Sequence, residues 1–372
     1  MIYVAYLLPV ATTAIAAVVR GDFADQWFAY LASTLVADGL IWLLYYFLTR
    51  STEYLSGYVV GVVHHFAWVE RVVRYETVTV NGKSQSVRRE EHVYHPDVWF
   101  RLLNTGRSES VNASYFDEMC SLWCTGRYGI AVHHPNQISG GGGEQSDWDG
   151  IEDHSDTSTY THRYRNPLRN SNSIFLGSKI TRKQARQMGL FKYPSTHTYA
   201  DQQVVLCHKD ATPLLYLHEA NRSLQFFNAF KGSSSQIHAF IIIFPASLGI
   251  EIARRQRDYW HGLNKNELLV CLGMDGGHVA WCHTQSWMDS PVLDTTYRDY
   301  FAHHPDLATA DHPDLPSLCD FIDFMSLHLN LWQRKEFSDF RYLGTHFSTG
   351  TSAVYWIISI ALSVAILLIA LT

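Results

Sequence analysis

The chain has 372 residues, 47% of them hydrophobic, and a formal charge of −6 from 29 basic and 35 acidic residues. That length accommodates about two or three domains. Charges of both signs are interspersed, with no one-sided Lys and Arg face, so no nucleic-acid partner is expected. Six cysteines without a Cys-x-x-Cys spacing read as free thiols among apolar neighbours, Cys271 and Cys282 included.

Residues 1–49 and 352–371 are the apolar parts of the chain. Ile2–Val19 and Ser352–Leu371 carry no charge and Trp27–Leu48 carries only Asp38, so each approaches the ~20 apolar residues that cross a bilayer. The sequence therefore predicts about three transmembrane helices and a multi-pass membrane protein with the lipid bilayer as a partner. Arg50, Arg334, Lys335 and Arg341 outnumber Arg20 near the spans, which places the globular region on the cytoplasmic side. Asp38 reads as neutralised or hydrogen-bonded to Thr12, Thr13 or Thr34, since no second charge continues a relay.

Residues 50–138 read as a β-rich region. Tyr54–Val80 is rich in Val, Tyr and Trp, and Asn81-Gly82 suits a type I′ turn that returns the chain over Lys83–Val93. The run Arg88, Arg89, Glu90 and Glu91 predicts a solvated edge. Asn112–Trp123 has helical spacing at Tyr115, Met119, Leu122 and Trp123. Residues 139–158 combine four successive glycines, Gly140 to Gly143, with six acidic residues and are expected as a flexible loop. An EF-hand calcium loop beginning at Asp147 fails, because its twelfth position is Ser158 rather than Glu.

Residues 159–345 read as an α/β domain. Thr181 caps a short basic helix, and Leu217, Ala220, Leu224 and Phe227 recur at helical spacing. Ile237–Phe244 is a strand buried on both faces, followed by Ser247 as N-cap of a helix through Trp260. Leu268–Met274 and His278–Thr284 form a hairpin around Gly276 and Gly277, with His278, Ala280 and Cys282 on one face. Helices over Val292–Phe301 and Leu315–Trp332 complete an α+β chain.

The run Asp258-Tyr-Trp-His-Gly-Leu-Asn-Lys-Asn-Glu-Leu-Leu-Val270, with Trp281, His283, Ser286 and Trp287, resembles a family of uncharacterised membrane-anchored proteins of phages and bacteria. Tyr94-His95-Pro96, Trp99 and Gly189–Pro194 extend the likeness. More distantly, about Asn221–Tyr300 is similar to the TPM domain, an α/β module tethered to membranes. That likeness implies a link to phosphatases, with calcium in some members.

Twenty histidines raise the question of a metal, yet no His-Glu-x-x-His or His-x-His occurs. His64 and His65 are adjacent on a strand and point opposite ways, so they cannot chelate as a pair. Asp258, Asn264, Asn266, Asp275, His283 and Trp287 lie at turns and strand ends and form the candidate ligand-binding rim, with Ca²⁺ as the ion their oxygens would suit. The same residue types also dominate ordinary turns. Two functions follow: a membrane-tethered scaffold whose α/β domain binds a protein partner, or a metal-dependent phosphoester hydrolase of TPM type. The first is favoured, with no cofactor required and a homo-oligomer allowed.

Overall fold

A computed structural model describes residues 2–20, 23–80, 83–166, 180–195, 202–288, 291–343 and 349–371. Helices α1 (Ile2–Arg20) and α2 (Phe23–Leu48) precede strands β1 (Arg50–His65), β2 (Trp68–Val80), β3 (Lys83–His95), β4 (Val98–Leu103) and β5 (Ser108–Val111). Next come α3 (Ala113–Trp123), β6 (Tyr128–Ile130), β7 (Gln137–Gly140), β8 (Gly143–Asp147), β9 (Thr157–Arg165), α4 (Arg182–Gln187), β10 (Val205–Cys207), α5 (Leu217–Phe226) and α6 (Gly232–Ser235). The rest is β11 (His238–Pro245), α7 (Glu251–Tyr259), β12 (Glu267–Asp275), β13 (His278–Ser286), α8 (Pro291–His303), α9 (Leu318–Leu327) and α10 (Thr349–Leu371). The fold is α+β with several sheets.

Among the described residues no helix is long and apolar enough to cross a membrane. This corrects the expected three transmembrane helices, the anchored architecture and the multi-pass localisation with its cytoplasmic orientation. The apolar segments do form α1, α2 and α10, and α1 packs on both of the others. Polar residues, however, divide each apolar run: Thr12 and Thr13 in α1, Ser33, Thr34 and Asp38 in α2, Ser359 and Ser363 in α10. Thr12, Thr13, Ser359 and Ser363 are buried, and the Thr13 and Thr34 hydroxyls share a 2.8 Å hydrogen bond that joins α1 to α2.

The sheet in the first half is organised by β1, sixteen residues long, in the order β5-β4-β1-β8-β6. Its first half pairs with β9 (Arg50–Tyr58 against Arg165–Thr157) and its second half with β4 and β8. Residues 139–158, expected as a flexible loop, thus contain β8 and part of β7 and β9. Composition misled here because β8 needs few apolar side chains: Gly143 lies against the His64 carbonyl so closely that a Cβ would collide with it. Helix α3 covers this sheet from an Asn112 N-cap, whose side chain accepts from the Tyr115 N–H at 2.8 Å. It buries Phe116, Met119 and Trp123, while Leu122, expected on that face, is exposed.

The second sheet, β10-β11-β12-β13, holds the main core. Strands β10, β11 and β12 are parallel, and the crossover from β11 to β12 runs through α7. Ala239 to Phe244 are fully buried, as the unbroken apolar run predicted, and burying each large side chain contributes roughly 1.5–3 kcal/mol. Ser247 is not the cap of α7. A 3₁₀ turn occupies Ala246–Leu248, and the helix starts at Glu251 after Gly249 turns through a φ of 68°. Helix α5 continues into a π-turn over Phe227–Lys231 that aims buried Asn228 at β11, where it bonds both the N–H (2.7 Å) and C=O (3.0 Å) of Ala239.

The β12/β13 hairpin turns through Gly276 and Gly277, both at positive φ. Gly273 pairs with Trp281 and Met274 with Val279, so Ala280 is an extra residue and the strand bulges. Parity reverses there, which is why Val279 and Cys282 are both buried although alternation put them on opposite faces. Gly273 accommodates the Trp281 ring in the space a Cβ would fill. Gly273→Ala is expected to cost about 1–3 kcal/mol by overpacking, read as a lowered denaturation midpoint with an unchanged m-value.

Candidate functional site

The six predicted rim residues do not share one place. Asn264 and Asn266 lie at the N-terminal end of β12 and Asp275 at its C-terminal end, nine residues or about 30 Å along the strand. Asn266 is fully buried, and its amide donates to the Tyr54 carbonyl at 2.7 Å. Asn264 donates to Glu267 at 2.6 Å and accepts from the Tyr164 hydroxyl at 2.9 Å. Both asparagines therefore join β12 to β1 and β9. Asp275 is exposed beside the hairpin turn. The Asp258 carboxylate lies 3.3 Å from Arg257, and the buried Trp287 indole donates to the Gly262 and Leu263 carbonyls. His283 sits opposite Cys271, its Nδ1 3.6 Å from Asp294; burial pushes its pKa down and Asp294 partly opposes that. Among the described residues no group of three or more His, Cys, Asp or Glu is placed to hold a metal ion.

What the two asparagines do belong to is a sealed polar seam between the sheets. His238, paired in register with Glu267, is fully buried and its Nδ1 meets the Ser56 hydroxyl at 3.3 Å. Burial pushes the His238 imidazole down to about 3. Glu267 accepts from the Tyr193 hydroxyl and from Asn264, and burial pushes its carboxyl up, more than those hydrogen bonds lower it. Glu53 in β1 is buried too, and one of its oxygens binds both Arg334 and His162 at 2.9 Å. The carboxylates and imidazole of this seam are closed to solvent, so its role is to hold the sheets together. Sequence reading passed over Glu53, His238 and Glu267, although a charged or titratable residue at the head of a fully buried run marks such a position.

The open feature lies at the other end of β1. Strands β2 and β3 pair over thirteen positions, from Trp68 with His95 to Val80 with Lys83, forming a two-stranded ribbon about 40 Å long. Residues 73–79 and 84–92 are exposed on both faces. Among the described residues, only Trp68–Glu70 of the ribbon have a third strand beside them, β7. Along one face run two cross-strand ion pairs, Arg74 with Glu91 (3.3 Å) and Arg89 with Glu76 (3.5 Å). The other face presents Val73 and Tyr75, the tyrosine 71% exposed. At the root, Trp68 stacks between two imidazoles, His95 at 4.1 Å and His134 at 3.9 Å between ring centroids. The predicted Asn81-Gly82 turn lies outside the described residues, but the pairing of Val80 with Lys83 is the register a two-residue turn sets.

Comparison with protein-family models, with curated proteins and with solved structures finds no match to this chain. The resemblances drawn from its residues gain no support from these comparisons.

Proposed function

We propose that this protein is an interaction protein in which the two-sheet body is a scaffold and the β2–β3 ribbon is the arm that engages a protein partner. The observation that carries this reading is the exposure of residues 73–79 and 84–92 on both faces. A two-stranded ribbon with nothing packed beneath it is marginal in water, and exposed ion pairs contribute little, so stability of the body does not account for its length. An arm with unpaired edges and an exposed tyrosine offers both backbone pairing and an aromatic anchor.

Val72 and Glu91 face one another across the ribbon, so residues 73–90 can be replaced by Asn-Gly without disturbing the root. The truncated protein is expected to keep its thermal midpoint within about 4 °C, a change on the order of 1 kcal/mol or less. A photocrosslinking residue at Tyr75 in the full chain should give a discrete adduct in extracts of the native source. Excess full-length protein should compete that adduct away and excess truncated protein should not. Equal competition by the truncated form, or no discrete adduct, would remove the ribbon from the interaction.

A further inference from the structure

Strand β3 is the outer strand of the β3-β2-β7 sheet, and among the described residues nothing pairs with its far edge. The ribbon leaves the body where three strands break together, at Phe66-Ala67, Pro96-Asp97 and Gly141-Gly142, and residues 84–92 of β3 are exposed beyond that level. The neighbouring strand fixes which backbone groups of β3 are free. Arg71 N–H in β2 bonds the Asn136 carbonyl on the β7 side, so odd-numbered residues of β2 aim that way and even-numbered ones aim at β3. Val72 lies opposite Glu91 and Arg74 opposite Arg89, so the odd-numbered residues of β3 are engaged. Ser86, Arg88, Glu90, His92 and Tyr94 therefore point their N–H and C=O groups outward.

The side chains along this edge are complementary to themselves. In an antiparallel pair made by a two-fold axis, facing residues share one side of the sheet, so their numbers add to an even sum. With Glu90 on the axis, Arg89 of one copy faces Glu91 of the other, Val87 faces Val93 and Ser86 faces Tyr94, each pairing occurring twice. An axis at Arg88, Arg89 or Glu91 instead sets Val87 against Arg89, Val87 against Glu91 or Arg89 against Val93. Of these registers, the one at Glu90 alone matches arginine with glutamate and valine with valine. Glu90 meets its own copy at the axis, where Arg88, 2.7 Å from Glu90 within each copy, balances the charge.

Within one copy Arg89 lies directly opposite Arg74, an unfavourable pairing of like charges. Each is compensated on a diagonal, Arg89 by Glu76 at 3.5 Å and Arg74 by Glu91 at 3.3 Å. Across the axis these pairs join into a row of alternating sign, Glu76 and Arg89 of one copy followed by Glu91 and Arg74 of the other. The symmetry mate repeats the row.

We propose that the partner of the ribbon is a second copy of this chain, joined edge to edge through β3 about a two-fold axis at Glu90. This rests on the reading of the ribbon as an arm and names what the arm engages. Two ribbons become one four-stranded sheet in the order β2-β3-β3-β2, with about ten new backbone hydrogen bonds, which a lone two-stranded ribbon lacks. The assembly closes at two copies, because the same edge serves both.

Sedimentation velocity on the purified full chain should show a monomer–dimer equilibrium at micromolar concentration. Arg89→Glu and Glu91→Arg each set like charges opposite one another twice, and each should weaken the dimer roughly tenfold or more. Mixed in equal amounts, the two variants should dimerise with an affinity near that of the wild type, since each supplies the charge the other lacks. Glu90→Cys in a Cys124→Ser background should form an intermolecular disulfide, because directly opposed Cα atoms lie about 5.5 Å apart. His92→Cys should not, because the register holds it about 14 Å from its own copy. A wild-type chain that stays monomeric, a dimer undiminished in both charge variants, or a dimer retained when residues 73–90 are replaced by Asn-Gly overturns the self-pairing. A monomeric chain that still gives a discrete Tyr75 adduct in extracts removes self-pairing and keeps the arm, whereas loss of that adduct removes the arm itself.

Discussion

Acid is expected to destabilise this protein through His238, and a His238→Phe variant should lose much of that sensitivity. In the folded chain burial holds the imidazole down to about 3, whereas an exposed histidine titrates near ~6.5. Between those values the unfolded chain binds a proton that the folded chain does not. Stability is therefore fully present above about pH 6.5 and falls as pH drops, by up to about 1.4 kcal/mol per pH unit from this residue. Glu267 acts in the opposite sense: burial raises its carboxyl, so its contribution is present in acid and is lost as pH rises through the folded value. The two separate by mutation. Phe at 238 keeps an aromatic ring beside Tyr54 and Phe240, and the Ser56 hydroxyl has a second partner in Thr159 at 2.8 Å. Urea titrations at several pH values should show a shallower acid slope in the variant. The same slope in both proteins below about pH 6.5 would show that His238 is not the group responsible.

The second large effect is expected at Arg101 in β4. Its guanidinium is buried and binds Glu109 at 2.8 Å and Asp156 at 3.1 Å, with the Tyr115 hydroxyl at 3.4 Å. Glu109 is itself mostly buried and accepts from the Ser158 hydroxyl, which lies 2.9 Å and 2.8 Å from its two oxygens. Arg101→Ala leaves that carboxylate with only the half-exposed Arg107, 3.7 Å away, as countercharge, and should cost about 3–5 kcal/mol in chemical denaturation. Replacing both partners, Arg101→Met with Glu109→Leu, should recover about half of the loss or more, because an apolar pair needs no countercharge. Asp156 is partly exposed and can remain hydrated. A loss under ~1 kcal/mol for Arg101→Ala alone would mean that water reaches this cluster.

Several features were legible because their causes are local. The helix over residues 113–123, the Thr181 cap, the hairpin at Gly276 and Gly277 and the buried run through Phe240 and Phe244 each depend on residues a few positions apart. The failures were non-local. Asp275 looked like a neighbour of Asn264 on paper, but a strand carries them to opposite ends of the sheet. The rim hypothesis therefore mixed residues from distinct places, while the seam of Glu53, His238 and Glu267 drew its members from three separate strands. The ribbon was readable in part: its two strands and its charged run were visible, but its independence from any core was not.

Sequence alone determined where this chain could be helical or extended, because periodicity, caps and positive-φ glycines act over a single turn or strand. It also determined that β11 would be buried on both faces, since no polar side chain interrupts its interior. Tertiary structure decided which strands meet, because β1 pairs with β9 at Arg50–Tyr58 and with β8 at Gly61–His65 through backbone groups that every residue carries. It also decided that three strands break together at Phe66, Pro96 and Gly141, where separate stretches of chain align only once the sheet has formed.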